Sequence, residues 1–441
     1  MRKHVLLLIT CLFAASAYCQ KSDDLLSSLK KYSTSVRSIE PGDEDLSDLR
    51  PIAKKIGDAR LVILGEDTHG DGETEKAKVR MIKFLHEKMG FDVIAWEFNY
   101  SLGNYMNQEL GKDSMNLNPG KYYGFGWDAD RQVAELIAYS KKTLSKGHPI
   151  IHAGFDFDRP PASPYFLNWI HQLAELDTSL ALNEEEKLIV DSLSRDIHGF
   201  LGNVYSKSFS RSGYTRSVAV IKAMRDRYIK DKKELLKKED IKAFRSDSLM
   251  MESAVMDIKL DSLEKTDRGK WNRERDHYMA ERIGWLLGEK YPGKKVIIWS
   301  ATAHLIRNTG LIKRFDAKGN RQENWLYKQA GDYVFEKLKN QMYTIAFTSH
   351  HGQTGTVTQG KADVDTIPAP QLNSYEDIAH KTRQKYLFTD IRSIPEQEWL
   401  SKEFIAYPLG YNKDQAQWNK VIDAFFFIDE MKPVTNRTLT K

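Results

Sequence analysis

The sequence alternates short apolar runs with longer amphipathic segments, and this alternation constrains the fold more than any other feature. Residues 61–64 form a wholly apolar run that ends in Gly65, which is typical of a buried parallel strand that leads into a turn. Residues 73–89 then follow the helical period, and Gly90 predicts the end of that helix. We therefore predict a buried strand followed by a crossover helix.

The same order recurs along the chain. Residues 91–96 and 150–155 are predicted strands that end at acidic residues, with a predicted helix over 133–144 between them. A helix over 272–290 then precedes strands over 295–299, 342–348, 386–389 and 424–428. Because strands that alternate with helices pair in parallel through right-handed crossovers, we predict an α/β fold with a mostly parallel sheet flanked by helices.

One long segment interrupts the alternation. Residues 161–265 contain no strand-like run, and their long helical patterns cover 218–236 and 242–263. We predict that 161–265 is an all-helical insertion or cap, and that residues 20–160 and 266–441 together form the α/β core.

The first nineteen residues have the pattern of a secretory signal peptide. Arg2 and Lys3 precede a nearly continuous apolar run over 5–17, and small residues follow before the polar segment that starts at Gln20. We predict a signal peptide over residues 1–19 and an exported protein, periplasmic or secreted. Lipid attachment at Cys19 is the less favoured alternative, because Ser16 and Tyr18 replace the aliphatic and small residues usual before such a cysteine.

Composition excludes several kinds of chemistry. Both cysteines, Cys11 and Cys19, lie inside the predicted signal, so a mature chain of 422 residues (441 − 19) would have none. This excludes disulfides, thiolate metal sites and a cysteine nucleophile from that chain. Basic and acidic residues number 66 and 61, which gives no reason to expect a nucleic-acid partner. Beyond the signal, no apolar run is long enough for a stable membrane span.

Polar side chains cluster at the ends of the predicted strands. In an open parallel sheet ligands bind beyond the carboxyl ends of the strands, so we expect these side chains to line one pocket. A lone strand-end carboxylate often only caps the next helix, but several such residues at equivalent ends indicate a site. The residues are Glu66, Asp67 and His69 after the first strand, Glu97 after the second, Asp156 after the third, and His304 after the strand over 295–299.

The predicted helix over 73–89 contributes two charged candidates. Glu73 and Arg80 are seven residues apart, which is about two turns, so they share a face at the margin of the apolar arc. We interpret Arg80 as a positive wall that anchors Glu97 or a developing oxyanion, and Glu73 as a substrate contact. An ordinary ion pair on the helix edge explains the two residues equally well.

Further candidates could line the pocket. Trp127, with Tyr122, Tyr123 and Phe125, is a candidate contact for a bulky apolar ligand, although core packing is an equal explanation. His350 precedes a glycine-containing turn after a predicted strand, and we include it as a substrate-binding candidate.

The standard nucleophile and cofactor signatures are missing. The sequence contains no G-x-S-x-G elbow, no Walker A sequence, no G-x-G-x-x-G and no H-E-x-x-H. The simplest hydrolytic scheme then uses water as the nucleophile and His69 as the general base, with Glu66 or Glu97 orienting the histidine.

Several segments together resemble one known family. Residues 64–70 (LGEDTHG) are similar to the G-E-x-x-H-G motif of the erythromycin esterase family, and residues 90–97 (GFDVIAWE) resemble its following strand. Residues 272–281 resemble its N-x-R-D-x-x-M-x-E helix with one extra residue, and residues 295–304 resemble the strand that ends in W-A-H-N-x-H. The likeness runs in order from about residue 45 to 435.

This resemblance implies an α/β core with a helical cap and metal-independent hydrolysis of a macrolide lactone by histidine-activated water. It places Glu66, His69, Arg80 and Glu97 at active-site positions and His304 at the second histidine of W-A-H-N-x-H. Ala301 stands where the esterases have the first histidine of that motif. We therefore expect an ester or lactone other than a macrolide as the small-molecule substrate.

Two other hypotheses remain open. The chain also resembles the metal-dependent Tiki- and TraB-like hydrolases, in which case Glu66, His69, Glu97 and His304 would hold a divalent metal. Alternatively it is a non-catalytic binding protein for a periplasmic small molecule or haem, similar to ChaN-like relatives. The alanine at position 301 supports this last hypothesis, whereas the retained set of charged active-site residues argues against it.

Overall fold

The computed structural model describes most of the predicted α/β core and part of the predicted insertion. The described residues are 23–112, 127, 131–156 and 266–435, apart from 317, 319, 323–326 and 356–363, together with 170–171, 174–175, 181–191, 211–232 and a few positions from 248 to 263. The predicted signal peptide and the candidates Tyr122, Tyr123 and Phe125 lie outside them.

A nine-stranded sheet forms the centre of the fold, in the order β1-β10-β13-β8-β2-β5-β3-β4, with β9 paired to β8. A second, antiparallel sheet of four strands has the order β11-β12-β6-β7. The strands are β1 Ser33–Ser35, β2 Leu61–Glu66, β3 Phe91–Asn99, β4 Ile151–Asp156, β5 Lys295–Ala301, β6 Lys313–Phe315, β7 Arg321–Gln322, β8 Met342–Gly355, β9 Val364–Thr366, β10 Tyr386–Asp390, β11 Phe404–Ala406, β12 Asp414–Ala416 and β13 Ala424–Met431.

Helices cover both faces of the large sheet, and three hydrophobic clusters fill the layers between them. The described α-helices are α1 Arg50–Ile56, α2 Gly72–Met89, α3 Tyr100–Leu110, α4 Arg131–Ser145, α5 Arg211–Lys232, α6 Arg268–Trp285, α7 Thr302–Leu305, α8 Ala330–Leu338 and α9 Tyr375–His380. None of these helices combines the length and apolar character that a bilayer crossing requires.

The predicted fold class is confirmed. Strands β13, β8, β2, β5, β3 and β4 are parallel, and their apolar runs are buried because helices pack on both faces. The antiparallel strand pairs and the full length of β8 were not predicted. Strands β1 and β10 add an antiparallel edge, and β8 continues to Gly355, so that His350 lies inside this strand.

The described part of the predicted insertion contains helix α5, and no strand occurs among the described residues between 157 and 265. The predicted boundaries of the signal peptide, the core and the cap stay predictions.

The register of the sheet brings the predicted strand ends together. Strands β2, β5, β3 and β4 are neighbours, although they are far apart in the sequence. Glu66 at the end of β2 pairs with Ala301 at the end of β5, and Asn99 at the end of β3 pairs with Asp156 at the end of β4. Four strand ends thus form one continuous edge at the carboxyl side of the sheet.

The loop after β2 is fixed by close backbone contacts at Gly70. The carbonyl oxygen of Gly70 accepts hydrogen bonds from the backbone N–H groups of Gly355 and Val434, each at 3.0 Å. A Cβ atom at Gly70 would lie 1.5 Å from the carbonyl oxygen of Gly355, so only glycine allows this approach. The end of β8 therefore determines where the loop over residues 67–71 lies.

We expect Gly70→Ala to lower the free energy of unfolding by roughly 1–3 kcal/mol, because the added methyl group forces the loop away from β8. Chemical denaturation monitored by circular dichroism measures this change. Gly310→Ala is the matched control, since a Cβ atom there meets nothing within 4 Å. Equal stability of the two variants would show that the loop tolerates displacement.

Candidate active site

His69, Glu66 and Lys78 form the first half of the site. His69 Nδ1 lies 2.6 Å from Glu66 Oε1, and Lys78 Nζ donates to Glu66 Oε2. Glu66 and Lys78 are buried, whereas the side chain of His69 keeps 32% of its exposure. The pair of carboxylate and imidazole therefore has its acidic member inside the protein and its basic member at the surface of the site.

Charge compensation explains the ionisation of this half. Burial alone would raise the pKa of Glu66, but the positive charge of Lys78 and the hydrogen bond with His69 outweigh it and hold the pKa below its usual value. Burial would lower the pKa of His69, but Glu66 and Glu97 outweigh it and raise the pKa. Burial also lowers the pKa of Lys78. Glu66 is thus a carboxylate that fixes the ring of His69 and increases its basicity.

Glu97 occupies the centre of the second half. Its Oε2 accepts hydrogen bonds from the hydroxyl of Ser300 and the backbone N–H of Ala301, both at 2.8 Å. Its Oε1 accepts from Arg275 Nη2 at 3.0 Å. Burial would raise the pKa of Glu97, but the positive charges of His304, His69 and Arg275 outweigh it and lower the pKa far below its usual value. Glu97 is therefore ionised throughout the ordinary pH range.

Arg275 of helix α6 joins three strand ends. Its Nη2 donates to Asp156 Oδ2 at 2.6 Å as well as to Glu97, and its Nε lies 3.2 Å from each oxygen of Asp156. Its Nη1 lies 3.1 Å from His304 Nε2. A planar guanidinium holds such an arrangement because its donors point in fixed directions. Arg275 thus connects β3, β4 and the turn after β5.

His304 stands on the short helix α7, directly after β5. Its Nδ1 lies 2.8 Å from Asp276 Oδ1, and its Nε2 lies 3.4 Å from Glu97 Oε1. Burial would lower the pKa of His304, but Asp276 and Glu97 outweigh it and raise the pKa. The ring is fixed from both sides and keeps 18% of its side-chain exposure.

The two halves share one charge balance. Glu97 interacts electrostatically with His69 and Lys78 of the first half as well as with Arg275 and His304 of the second. The carboxylates are Glu66, Glu97, Asp156 and Asp276, and the permanent cations are Lys78 and Arg275. Glu66 and Glu97 raise the pKa of His69 against Lys78, and Asp276 and Glu97 raise the pKa of His304 against Arg275.

Trp127 lies beside His69. The two rings meet edge to face, with their centroids 5.2 Å apart, and the indole also approaches Trp96 and Trp299. Trp127 is 3% exposed and packs in the hydrophobic cluster on this face of the sheet. The structure therefore places the predicted aromatic candidate beside His69, and its role as a substrate contact stays a prediction.

Arg80 and Glu73 share a face of α2 as predicted, but this face points away from Glu97. Arg80 donates to both oxygens of Asp48 and to the carbonyl oxygens of Ser38 and Asp45. Each helical residue turns by about 100°, so Arg80 lies about 200° from Lys78, which faces the site. The predicted contact between Arg80 and Glu97 is wrong.

Glu73, the predicted substrate contact, also lies outside the site. Its carboxylate pairs with Lys76 at 3.0 Å, and it lies near Tyr386 of the antiparallel edge of the sheet. The geometry gives Glu73 no place beside His69, because the face that it shares with Arg80 packs against the N-terminal segment and that edge.

His350 also stands apart from the strand ends that carry the site. Its ring stacks on His380 of α9 at 4.0 Å between centroids, and its Nδ1 lies 3.2 Å from His351 Nδ1. Asp156, in contrast, lies where it was predicted, but its partner is Arg275.

The alternative metal site of Glu66, His69, Glu97 and His304 does not fit the geometry. Among the described residues, the groups that bring three or more ligand atoms within 4.8 Å of one another are two other sets. The oxygens of Glu66 and Glu97 are already occupied by donors from Lys78, Arg275, Ser300 and Ala301. An ammonium and a guanidinium thus supply the positive charge that a metal ion would bring.

A cavity of about 650 Å³ lies elsewhere, and its lining contains none of the candidate site residues. Lys83 and His86 of α2 and Tyr139 of α4 contribute to that lining. Because none of the candidate site residues lines this cavity, it does not change the assignment of the site.

Sequence reasoning missed the importance of three residues. Lys78 is in register with Met81, Ile82 and Leu85 on the apolar stripe of α2, and a lysine in such a stripe indicates a buried charge with a buried partner. Arg275 and Asp276 are adjacent in α6, and both are buried. The family-like helix motif contained this pair, but only the packing of α6 against β4 reveals its partners.

The fold and the site define an α/β protein with histidine–carboxylate pairs at the carboxyl ends of its parallel strands. The model of the family described as erythromycin esterase matches residues 86–431, and the chain belongs to this family. The predicted family is thereby confirmed. The match begins after the loop that carries Glu66 and His69, so the likeness at these two residues depends on the motif over 64–70.

Individual relatives agree with this assignment. A Bacillus subtilis (strain 168) protein named "Putative hydrolase YbfO" is 28% identical over 411 residues, which cover 88% of this chain and 87% of that protein. Among solved structures, a succinoglycan biosynthesis protein has a TM-score of 0.70 at 20% identity and covers 94% of this chain and 98% of its own. A mutant of the erythromycin esterase EreC in its open conformation has a TM-score of 0.64 at 16% identity, with coverage of 91% and 98%. At these identities the two structures show the fold.

We expect Lys78→Met to lower the free energy of unfolding by roughly 3–5 kcal/mol, because it leaves the carboxylate of Glu66 buried without its main counter-charge. Urea denaturation measures the loss. The double variant Lys78→Met with Glu66→Gln should recover most of the stability, because no buried charge remains at this position. A double variant as unstable as Lys78→Met would contradict the assigned ion pair.

Proposed function

We propose that this member of the erythromycin esterase family is an exported hydrolase that cleaves an ester or lactone with water activated by His69. One observation carries the proposal: His69 Nδ1 lies 2.6 Å from the buried carboxylate of Glu66, on an imidazole that is partly exposed. This contact fixes the tautomer in which Nδ1 carries the proton and Nε2 is the basic nitrogen.

In the proposed reaction, Nε2 of His69 removes a proton from water while the water oxygen attacks the carbonyl carbon. The carbonyl π bond breaks and its electron pair moves to the oxygen, which becomes an oxyanion. When the intermediate collapses, the bond to the alcohol oxygen breaks and that oxygen takes the proton from His69. The products are a carboxylic acid and an alcohol, which remain in one molecule when the substrate is a lactone.

The second half of the site supplies positive charge for the oxyanion. His304 is more exposed than Arg275, and when it is protonated its Nε2–H lies 3.4 Å from Glu97 Oε1, whereas Nε and Nη2 of Arg275 donate to Asp156 and Glu97. We therefore assign His304 to the oxyanion and Arg275 to the positioning of His304 and Glu97.

The substrate differs from that of a macrolide esterase in this proposal. Ala301 ends β5, and its backbone N–H donates to Glu97. The family motif that residues 295–304 resemble has a histidine at this position, so the site has one histidine fewer than that pattern, and this difference supports an ester or lactone other than a macrolide. No macrolide is needed to explain any feature of the described residues.

We expect His69→Asn to lower kcat/KM on esters by roughly 10²- to 10⁴-fold, because the variant lacks the basic nitrogen. A panel of aryl and alkyl esters and lactones, including a macrolide, provides the measurement. His148→Gln is the matched control, since this exposed histidine also approaches a carboxylate, Asp92 at 3.4 Å, but near the start of β3. Wild-type activity of His69→Asn would overturn the mechanism, and an entirely inactive wild-type protein would favour a binding role.

We expect kcat/KM to rise with pH through a midpoint above 6.5, the ordinary value for histidine, because His69 must lose its proton to act and Glu66 and Glu97 raise its pKa. In Glu66→Gln the raising charge is lost while burial and Lys78 still lower the pKa, so the midpoint should move to lower pH. The pH profiles of the two proteins test this. A midpoint that is unchanged by the substitution would show that His69 is not the titrating base.

A further inference from the structure

Three histidines and an aspartate gather on the second half of β8, near the end of β13 and at the end of α9, away from the strand ends that carry the candidate active site. His350, His351, His380 and Asp429 each offer one ligand atom, and these atoms all lie within 4.8 Å of one another. None of the four is buried, so ions can reach the group from solvent.

The fold fixes the positions of these residues. His350 follows Thr348 on the face of β8 that α9 covers, and Thr348 donates to Glu376 in that helix at 2.9 Å. His380 ends α9, and Asp429 lies in β13, where its backbone N–H donates to the carbonyl oxygen of Lys385 at 2.9 Å. Ligands on strands and at a helix end are held more precisely than ligands on a free loop.

The distances are close to those of a metal centre. Nδ1 of His350 and Nδ1 of His351 lie 3.2 Å apart. In a tetrahedral site with bonds of about 2.0–2.1 Å to nitrogen, neighbouring ligand atoms lie roughly 3.3–3.4 Å apart. His380 Nδ1 lies 2.6 Å from Asp429 Oδ1, which is a hydrogen-bond distance that must lengthen if both atoms bind the ion.

Without a cation, the arrangement is unfavourable for protonated rings. The rings of His350 and His380 are stacked 4.0 Å apart at 7°, so two positive charges would face each other directly. One shared cation that accepts lone pairs from several of these rings would replace this repulsion by attraction.

We propose that His350, His351, His380 and Asp429 bind one divalent transition-metal ion of the zinc class. Three imidazoles and one carboxylate are borderline ligands that suit zinc, whereas calcium and magnesium require a shell made mainly of oxygen. Four protein ligands leave no open position at a tetrahedral ion, so the ion would tie β8, β13 and α9 together. The site is separate from the proposed catalysis, which uses residues on β2 and the loop after it, β3, α6 and α7.

The test measures zinc binding to the full chain without a histidine tag, by competition with a chromophoric chelator. The wild-type protein should bind zinc chloride with one equivalent that is lost, or weakened at least tenfold, in His380→Ala and in His351→Ala. Zinc should also raise the Tm of the wild-type protein and not that of a His350→Ala, His380→Ala double variant, whereas magnesium chloride should raise neither.

Two matched controls identify the site. His171→Ala removes a histidine that pairs with Asp191 at 2.9 Å outside the group, and His148→Ala removes one member of the other described cluster, which contains His86 and Asp92. Both variants should keep the wild-type affinity at the proposed site. Absence of zinc binding by the wild-type protein, equal binding by His380→Ala, or loss of the equivalent in His148→Ala instead would overturn the proposal. Unchanged circular dichroism of the metal-free variants confirms that they fold.

Discussion

The geometry of the candidate active site depends on Arg275, because this one side chain contacts groups from three separate elements. It holds Asp156 at the end of β4, Glu97 on β3 and His304 after β5. Asp156 and Glu97 are both buried, and a buried charge is costly unless it is paired with an opposite charge. Arg275 stands on α6, which follows the predicted insertion in the sequence. The packing of one late helix thus determines the arrangement of two strand ends, at Glu97 and Asp156, that lie more than a hundred residues earlier.

The convergence of polar strand ends could be predicted because it follows from the parallel sheet alone. The carboxyl ends of parallel strands lie at one edge, so Glu66, Glu97 and Asp156 had to lie at that edge once their strands were recognised. Strand order could not be predicted in the same way. Strand β5 lies between β2 and β3 in the sheet, although it follows both of them in the chain. Hydrophobic periodicity carries no information about this order, which is set by how the crossover helices pack.

The cations of the site were harder to predict than its carboxylates, because the sequence does not show which face of a helix packs against the strand ends. The spacing of Glu73 and Arg80 correctly placed both residues on one face of α2, but it could not tell which face meets the sheet ends. Arg80 instead donates hydrogen bonds to the N-terminal segment, to Asp48 and to two carbonyl oxygens. Lys78 is the residue of this helix that pairs with Glu66. Its position within an apolar stripe is the sequence signal that indicates a buried ion pair. The extension of β8 to Gly355 places His350 beside α9, and no feature of the sequence predicted this extension.

The charge balance also explains why a histidine with a raised pKa suits the proposed chemistry. With both imidazoles protonated, the four carboxylates face four cations, and the cluster is neutral. Loss of the proton from His69 leaves one uncompensated negative charge beside Glu66 and Glu97, which makes the ring a stronger base. A proton taken from water restores neutrality at the moment when the oxyanion forms on the substrate. The same carboxylates that make His69 hard to deprotonate thus favour the proton transfer that the reaction requires.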